Sequence, residues 1–260
     1  KLQREIVATE QKLKTLTKET SKFTQVGEKL KDVGGKITDI GKKGMAITAT
    51  VTAAAAASVK MASDYEESLN KVDVAFGENA DEVKKWADTS LKNYGLAKGT
   101  ALETTSLYGD MGTAMGLSTA EASKMSTSLT GLSADLASFK NVSQEVAQNA
   151  LKGIFTGEGE SLKSLGIIMQ DTTLKEYALA KGYEKKYADM TQAEKVQLRY
   201  NYVMENTKNA QGDFARTSDG TANSVRMLQE AVKELAAKIG EKLIPVVTPI
   251  IQKITEWVQW

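Results

Sequence analysis

The sequence predicts an all-α protein, and three observations carry that expectation. Only two prolines occur in 260 residues, Pro245 and Pro249, so most of the chain is free of the residue that breaks helices. Apolar residues recur three and four apart along much of the length, which is the period of one helix face. No run of alternating β-branched residues exceeds a few positions, so strand signals are scarce. The expected order is a long, coiled-coil-like N-terminal helical arm over 1–61, a multi-helix domain over 62–228, and an exit helix over 229–260. The first residue is Lys1 and the last stretch, "ITEWVQW", shows no terminating signal, so the exit helix is expected to continue into missing chain.

The arm comes first. Leu2, Ile6, Leu13, Leu16 and Phe23 step along one narrow stripe, with Thr9 and Thr20 in the missing places. After a slip at Val26 the series resumes with Leu30, Val33, Ile37, Ile40, Ile47 and Val51. A stripe this narrow is the seam of a coiled coil, and the slip changes its local winding. It serves equally as the buried face of one amphipathic helix. The nine residues from Leu2 to Ile40 are the candidate surface for self-association. Gly27, Gly34, Gly35, Gly41 and Gly44 each weaken this helix by about 1 kcal/mol relative to alanine.

Residues 44–59, "GMAITATVTAAAAASV", carry no charge. The stretch is too short and too rich in alanine and threonine for a spanning helix. Its small side chains suit close packing of one helix on another. From Ala62 the texture changes to short amphipathic helices. Asn79, Thr100, Ser118 and Thr191 each stand three residues before a glutamate (Glu82, Glu103, Glu121 and Glu194). That spacing is a capping box, in which the two side chains satisfy the unpaired N–H groups of a first turn. Met125, Leu129, Leu132, Leu136 and Phe139 mark one buried face. The last helix is expected to run to about Ile239 and to be interrupted by Gly240 and the prolines. "IIQKITEWVQW" then resumes the amphipathic pattern, with Trp257 and Trp260 as packing residues.

Composition removes most chemistry. The chain has no cysteine and no histidine, which excludes disulfides, thiolate nucleophiles, Cys/His zinc sites and every histidine-based triad. The net charge of +1 hides an asymmetry, since residues 1–43 alone sum to +5. A basic arm touches nucleic acid or membrane in some proteins; on a helix it also serves plain solubility. No EF-hand spacing occurs, and no cofactor or metal site is expected.

One stretch invites a chemical interpretation. "ALKGIFTGEGESLKSLGI" (150–167) holds Gly153, Gly157 and Gly159 with Ser161 and Lys163 soon after. A phosphate loop needs Gly, four residues, then Gly-Lys-Ser/Thr; here Glu158 and Glu160 stand in the way and would repel a phosphate. A helix–turn–helix corner fits better. The first helix ends near Phe155, Thr156-Gly157 turns, and Glu158 and Glu160 place negative charge at the start of the next helix. That helix closes at Gly166. Gly153, Phe155, Gly157, Leu165 and Gly166 are the candidate structural residues of the corner. Glu158 and Glu160 are one of the many carboxylate pairs that thirty-three acids offer for glycan hydrolysis, with nothing in the sequence to set their separation.

This stretch resembles a signature of phage tail tape-measure proteins, and neighbouring segments follow in the family's order. They are "ASDYEESLNKVDVAFG" (62–77), "LSADLASF" (132–139), "MTQAEKVQLRYNYVMENT" (190–207), "GDFARTSDGTANSVRML" (212–228) and "IGEKLIPVV" (239–247). The resemblance covers about 62–250. It implies a non-enzymatic virion protein of the tail-tube lumen or tail tip, assembled in the host cytoplasm. Such a protein sets tail length, templates the tube and assists genome delivery. The implied partners are copies of itself as a trimer or hexamer, tail-tube and tip or baseplate proteins, and membrane during ejection, with no specific nucleic-acid readout. Two alternatives come from other classes: a membrane-active, pore-forming-like helical protein using 44–62 and the tryptophan-rich tail, and a carboxylate-based cell-wall hydrolase.

Overall fold

The computed structural model describes the backbone of residues 44–258 and the side chains of residues 56–245, 248 and 249. The chain is all-α, with no strand among the described residues. The candidate seam, Leu2, Ile6, Leu13, Leu16, Phe23, Leu30, Val33, Ile37 and Ile40, lies outside them. Helix α1 spans Gly44–Phe76, followed by a 3-10 turn at Gly77–Asn79, α2 (Ala80–Ala87), α3 (Ser90–Tyr94) and α4 (Lys98–Ala114). Next come α5 (Thr119–Phe139), α6 (Gln144–Leu151), α7 (Gly153–Thr156), α8 (Glu160–Lys163) and α9 (Asp171–Ala180). A 3-10 turn at Tyr187–Asp189 leads to α10 (Gln192–Asn206), α11 (Asp213–Arg216) and α12 (Thr221–Val258).

Two compact units divide the chain, one formed by residues up to Asp64 with those from Leu235 onward, the other by Tyr65–Glu234. In the first unit α1 and α12 pack backbone to backbone. A Cβ placed on Gly240 would lie 1.8 Å from the Ser58 carbonyl oxygen and 2.8 Å from the Ala62 methyl. Ser58, Ala62, Ala236 and Leu243 are buried here. Within the Ala-rich stretch Ser58 thus serves close packing, while Ala56 and Ala57 are exposed. The expected interruption at Gly240 does not occur: α12 runs through it and through both prolines. Gly240 is present because a side chain would push the helices apart. The prolines are tolerated because both are exposed. Lacking N–H groups four residues apart, they leave the Glu241 and Pro245 carbonyls on the face where water can satisfy them.

In the Tyr65–Glu234 unit, α5 is the central element, packed by α4, α6 and α11 and touched by α2 and α3. Ser118 starts it with a full capping box: its hydroxyl accepts from the Glu121 N–H, and the Glu121 carboxylate accepts from the Ser118 N–H at 2.9 Å. Residues 129–137 are buried on every side. A helix surrounded in this way needs small residues where neighbours cross, and its polar groups need partners. Thr130 donates to the Ser126 carbonyl and meets the Thr105 hydroxyl at 3.0 Å, while Ser133 donates to the Thr130 carbonyl and accepts from Gln144. The Ser126 hydroxyl alone among the described buried side chains has no partner. Met125, Leu129, Leu132 and Leu136 are buried as expected, but Phe139 is 46% exposed because α5 ends there and clears the core.

Two of the four expected capping boxes form, at Ser118 and Thr191. Asn79 does not cap α2: the preceding 3-10 turn leaves it at φ −91°, ψ 0°, and its amide donates instead to the Thr119 hydroxyl at 3.1 Å. Thr100 does not cap α4, which already begins at Lys98. A distant carboxylate does that work. Glu230, on α12, accepts from the Ala97 N–H at 3.0 Å and from the Thr100 hydroxyl at 2.8 Å.

Candidate functional site

The glycine-rich corner lies within the Tyr65–Glu234 unit. Ser143 caps α6, its hydroxyl accepting from the Val146 N–H. α6 gives way after Leu151 to the single turn α7, and Gly157 ends that turn at φ +86°, ψ 4°, its N–H donating to the Gly153 carbonyl at 2.8 Å. A left-handed residue here is what lets the chain reverse. The returning loop then crosses α7 at backbone contact distance: a Cβ on Gly153 would lie 2.1 Å from the Glu158 carbonyl oxygen. Glu160 opens α8 and pairs with Lys163 at 2.6 Å, while Glu158 stays exposed before the helix.

α8 closes through paired terminal bonds: the Gly166 N–H donates to the Lys163 carbonyl and the Ile167 N–H to the Leu162 carbonyl. Both bonds satisfy last-turn acceptors, and Gly166 at φ +79° makes the motif possible. Leu162, Leu165 and Ile167 drop into the core beside Ile154 and Phe155. The Phe155 ring stacks on Tyr108, centroids 5.7 Å apart. The Tyr108 hydroxyl, fully buried, donates to the Gln148 carbonyl at 2.8 Å, and its burial pushes its pKa well above the usual phenol range. Of the five expected corner residues, Gly153, Phe155 and Leu165 are buried; Gly157 and Gly166 are exposed turn residues.

Sequence reading missed the side chain that holds the corner. Arg199 on α10 is only 7% exposed and has no ion-pair partner among the described residues. Its Nη1 donates to the Ile154 and Phe155 carbonyls at 3.3 and 3.2 Å, and its Nε donates to the Tyr187 hydroxyl at 3.1 Å. The two carbonyls are helix-end acceptors that α7 cannot satisfy itself. The Tyr187 ring also lies 6.0 Å from the guanidinium carbon, within cation–π range. A Cβ on Gly157 would meet Nη2 at 2.7 Å, so glycine and arginine fit each other. One signal was available: Arg199 sits between Val196 and Val203 on the buried face of α10, where a charge is unexpected.

A second polar node ties α5 to α11. Asp135, buried in α5, accepts from the Gly212 N–H at 2.7 Å and the Phe214 N–H at 3.1 Å. Loss of water pushes its carboxyl above the usual range, the two amides pull it down, and nearby Asp213 raises it again. Ser138 donates to Asp213 at 2.6 Å, Asn223 donates to the Ser138 and Thr217 hydroxyls, and Arg226 donates to Asn223. All these bonds fix helix ends.

Chemically, the corner's cation is committed to main-chain carbonyls, and its carboxylates face solvent. Glu158 and Glu160 are exposed, and neither lines the clefts beside Phe214, Leu107 or Leu179. Among the described residues no cluster of acidic groups is placed to hold a metal ion, and no helix is long and apolar enough to cross a membrane. The arrangement is a helical frame whose ends are joined by hydrogen bonds. Compared with known proteins, the chain matches no family model, no curated protein and no solved structure.

Proposed function

We propose that this chain is a segment of a phage tail tape-measure protein: a structural, non-enzymatic component of a tail or tail-like particle, working in the tube lumen or at the tip. The observation that carries the reading is the corner at 150–167, whose family-like residues have defined structural duties. Gly153 admits the loop, Gly157 makes the turn and admits Arg199, Phe155 and Leu165 fill the core, and Gly166 closes α8. Long helices agree with it. α1 has 33 residues and α12 has 38, which at 1.5 Å per residue correspond to roughly 50 and 57 Å. In a helical ruler, residue count converts linearly into distance. Copies of the chain, tail-tube subunits and tip or baseplate proteins are the partners this role requires.

The test is tail length. Particles assembled with residues 9–36 deleted in frame should have measurably shorter tails by electron microscopy. Particles with a matching duplication should be longer by as much. Assembled tails of unchanged length in both cases would remove the proposal.

A further inference from the structure

The two most exposed large apolar side chains among the described residues are Val74, 87% exposed, and Leu179, 76% exposed. Each stands in an apolar groove of the Tyr65–Glu234 unit, and the two grooves carry opposite charge. The first, of about 550 Å³, runs between α1 and α4, and Val74, Ala75 and Leu107 are the apolar part of its lining. On its rim Glu67 is matched by Lys71 at 2.7 Å. Glu103 and Asp110 are exposed with no cation in ion-pair reach among the described residues. The second, of about 330 Å³, lies between α9 and the 3-10 turn at Tyr187–Asp189, with Leu179, Ala178 and Tyr183 as its apolar part. Lys185 there is already paired with Glu194 at 2.6 Å. Lys175 and Lys186 are exposed and unmatched among the described residues, beside the single acid Glu184.

We propose that these grooves are the two halves of a head-to-tail contact between copies of this chain, Leu179 of one copy entering the Val74–Leu107 groove of the next. Each groove presents an apolar centre inside a charged rim, the pattern of a protein-binding patch. Their rims carry complementary excess charge, which sets partner and register. The two surfaces sit on different elements, so each joined copy keeps one groove open for another. Such heterologous contacts build rows or rings rather than closed pairs. Each groove is small, which places the contact in the weak, salt-sensitive class, strengthened by repetition. It involves none of the N-terminal seam and does not rest on the tape-measure reading.

The experiment is sedimentation velocity on the full 260-residue chain across a concentration series, at low and high salt. Glu103→Lys/Asp110→Lys gives both grooves of a copy the same sign, as does Lys175→Glu/Lys186→Glu. Each double variant should self-associate at least tenfold more weakly than the parent chain, and an equal mixture of the two should regain association, because every mutated groove then meets its opposite. The milder pair Glu103→Gln/Asp110→Asn should fall between, which guards against a folding artefact. A parent chain showing no concentration dependence, variants that associate like the parent, or a mixture that stays apart each overturns the proposal.

Discussion

Replacing Arg199 with methionine keeps the volume and the aliphatic stem but removes every donor. The Ile154 and Phe155 carbonyls then face the interior without a partner, and the Tyr187 hydroxyl loses an acceptor role. A buried acceptor left unpaired costs about 1–3 kcal/mol, and bonds from a charged donor sit at the upper end. With two carbonyls affected, the expected loss is about 3–5 kcal/mol, a large share of the 5–15 kcal/mol typical of folded domains. Arg199→Lys should lose about half as much, because one ammonium cannot span both the carbonyls and the tyrosine. Urea unfolding followed by circular dichroism reads the difference as a shift in midpoint at constant slope. If Arg199→Met costs less than about 1 kcal/mol with its fold intact, the guanidinium does not hold the corner and the reasoning fails.

Four further expectations follow from the same structure. Gly157→Ala should destabilise by about 2–3 kcal/mol in urea unfolding, since alanine is strained in the left-handed region and its methyl meets the guanidinium. Ser118→Ala should cost about 1 kcal/mol and Asn79→Ala under 0.5, because only the first caps a helix; equal losses would contradict the cap assignment. Ser126→Ala, which removes a buried hydroxyl without a partner, should leave the melting temperature unchanged or raise it. Glu194 is held down from 4.5 to about 2 by the Lys185 ammonium and the Thr191 N–H. A depressed folded-state pKa stabilises above the ordinary carboxylate range, and that contribution is lost as pH falls from about 4.5 toward about 2. Carboxyl NMR titration should show the low value in the parent chain and a rise in Lys185→Met.

How much of this was legible in the sequence depends on how far each residue's partners lie along the chain. The corner was readable because its determinants are local: glycines at turn positions, an acid at the next helix start and leucines at helical spacing. Ser118 and Thr191 were readable for the same reason, since a capping box closes over three residues. Thr100 misled because its helix is capped by Glu230, whose partnership with Ala97 spans 133 positions. Asn79 misled because a 3-10 turn had already begun the helical path. Arg199 left only the trace of a charge on an apolar stripe, since its partners are carbonyls, which every residue possesses. Gly240 reads as a helix breaker by propensity, yet it is kept by the close passage of the Ser58 backbone.

The Glu230 cap has a consequence for synthesis of the chain. Glu230 is 12% exposed at its side chain and joins the start of α4 only after the polypeptide has been extended by a further 133 residues. At ~5–20 residues per second that interval lasts on the order of ten seconds. Until then the Ala97 amide and the Thr100 hydroxyl must be served by water, and the nascent N-terminal half of the unit waits on the ribosome with one helix unmoored. Helix α12 is therefore the one that locks α4, and a chain truncated before Glu230 should be a substrate for chaperones and proteases.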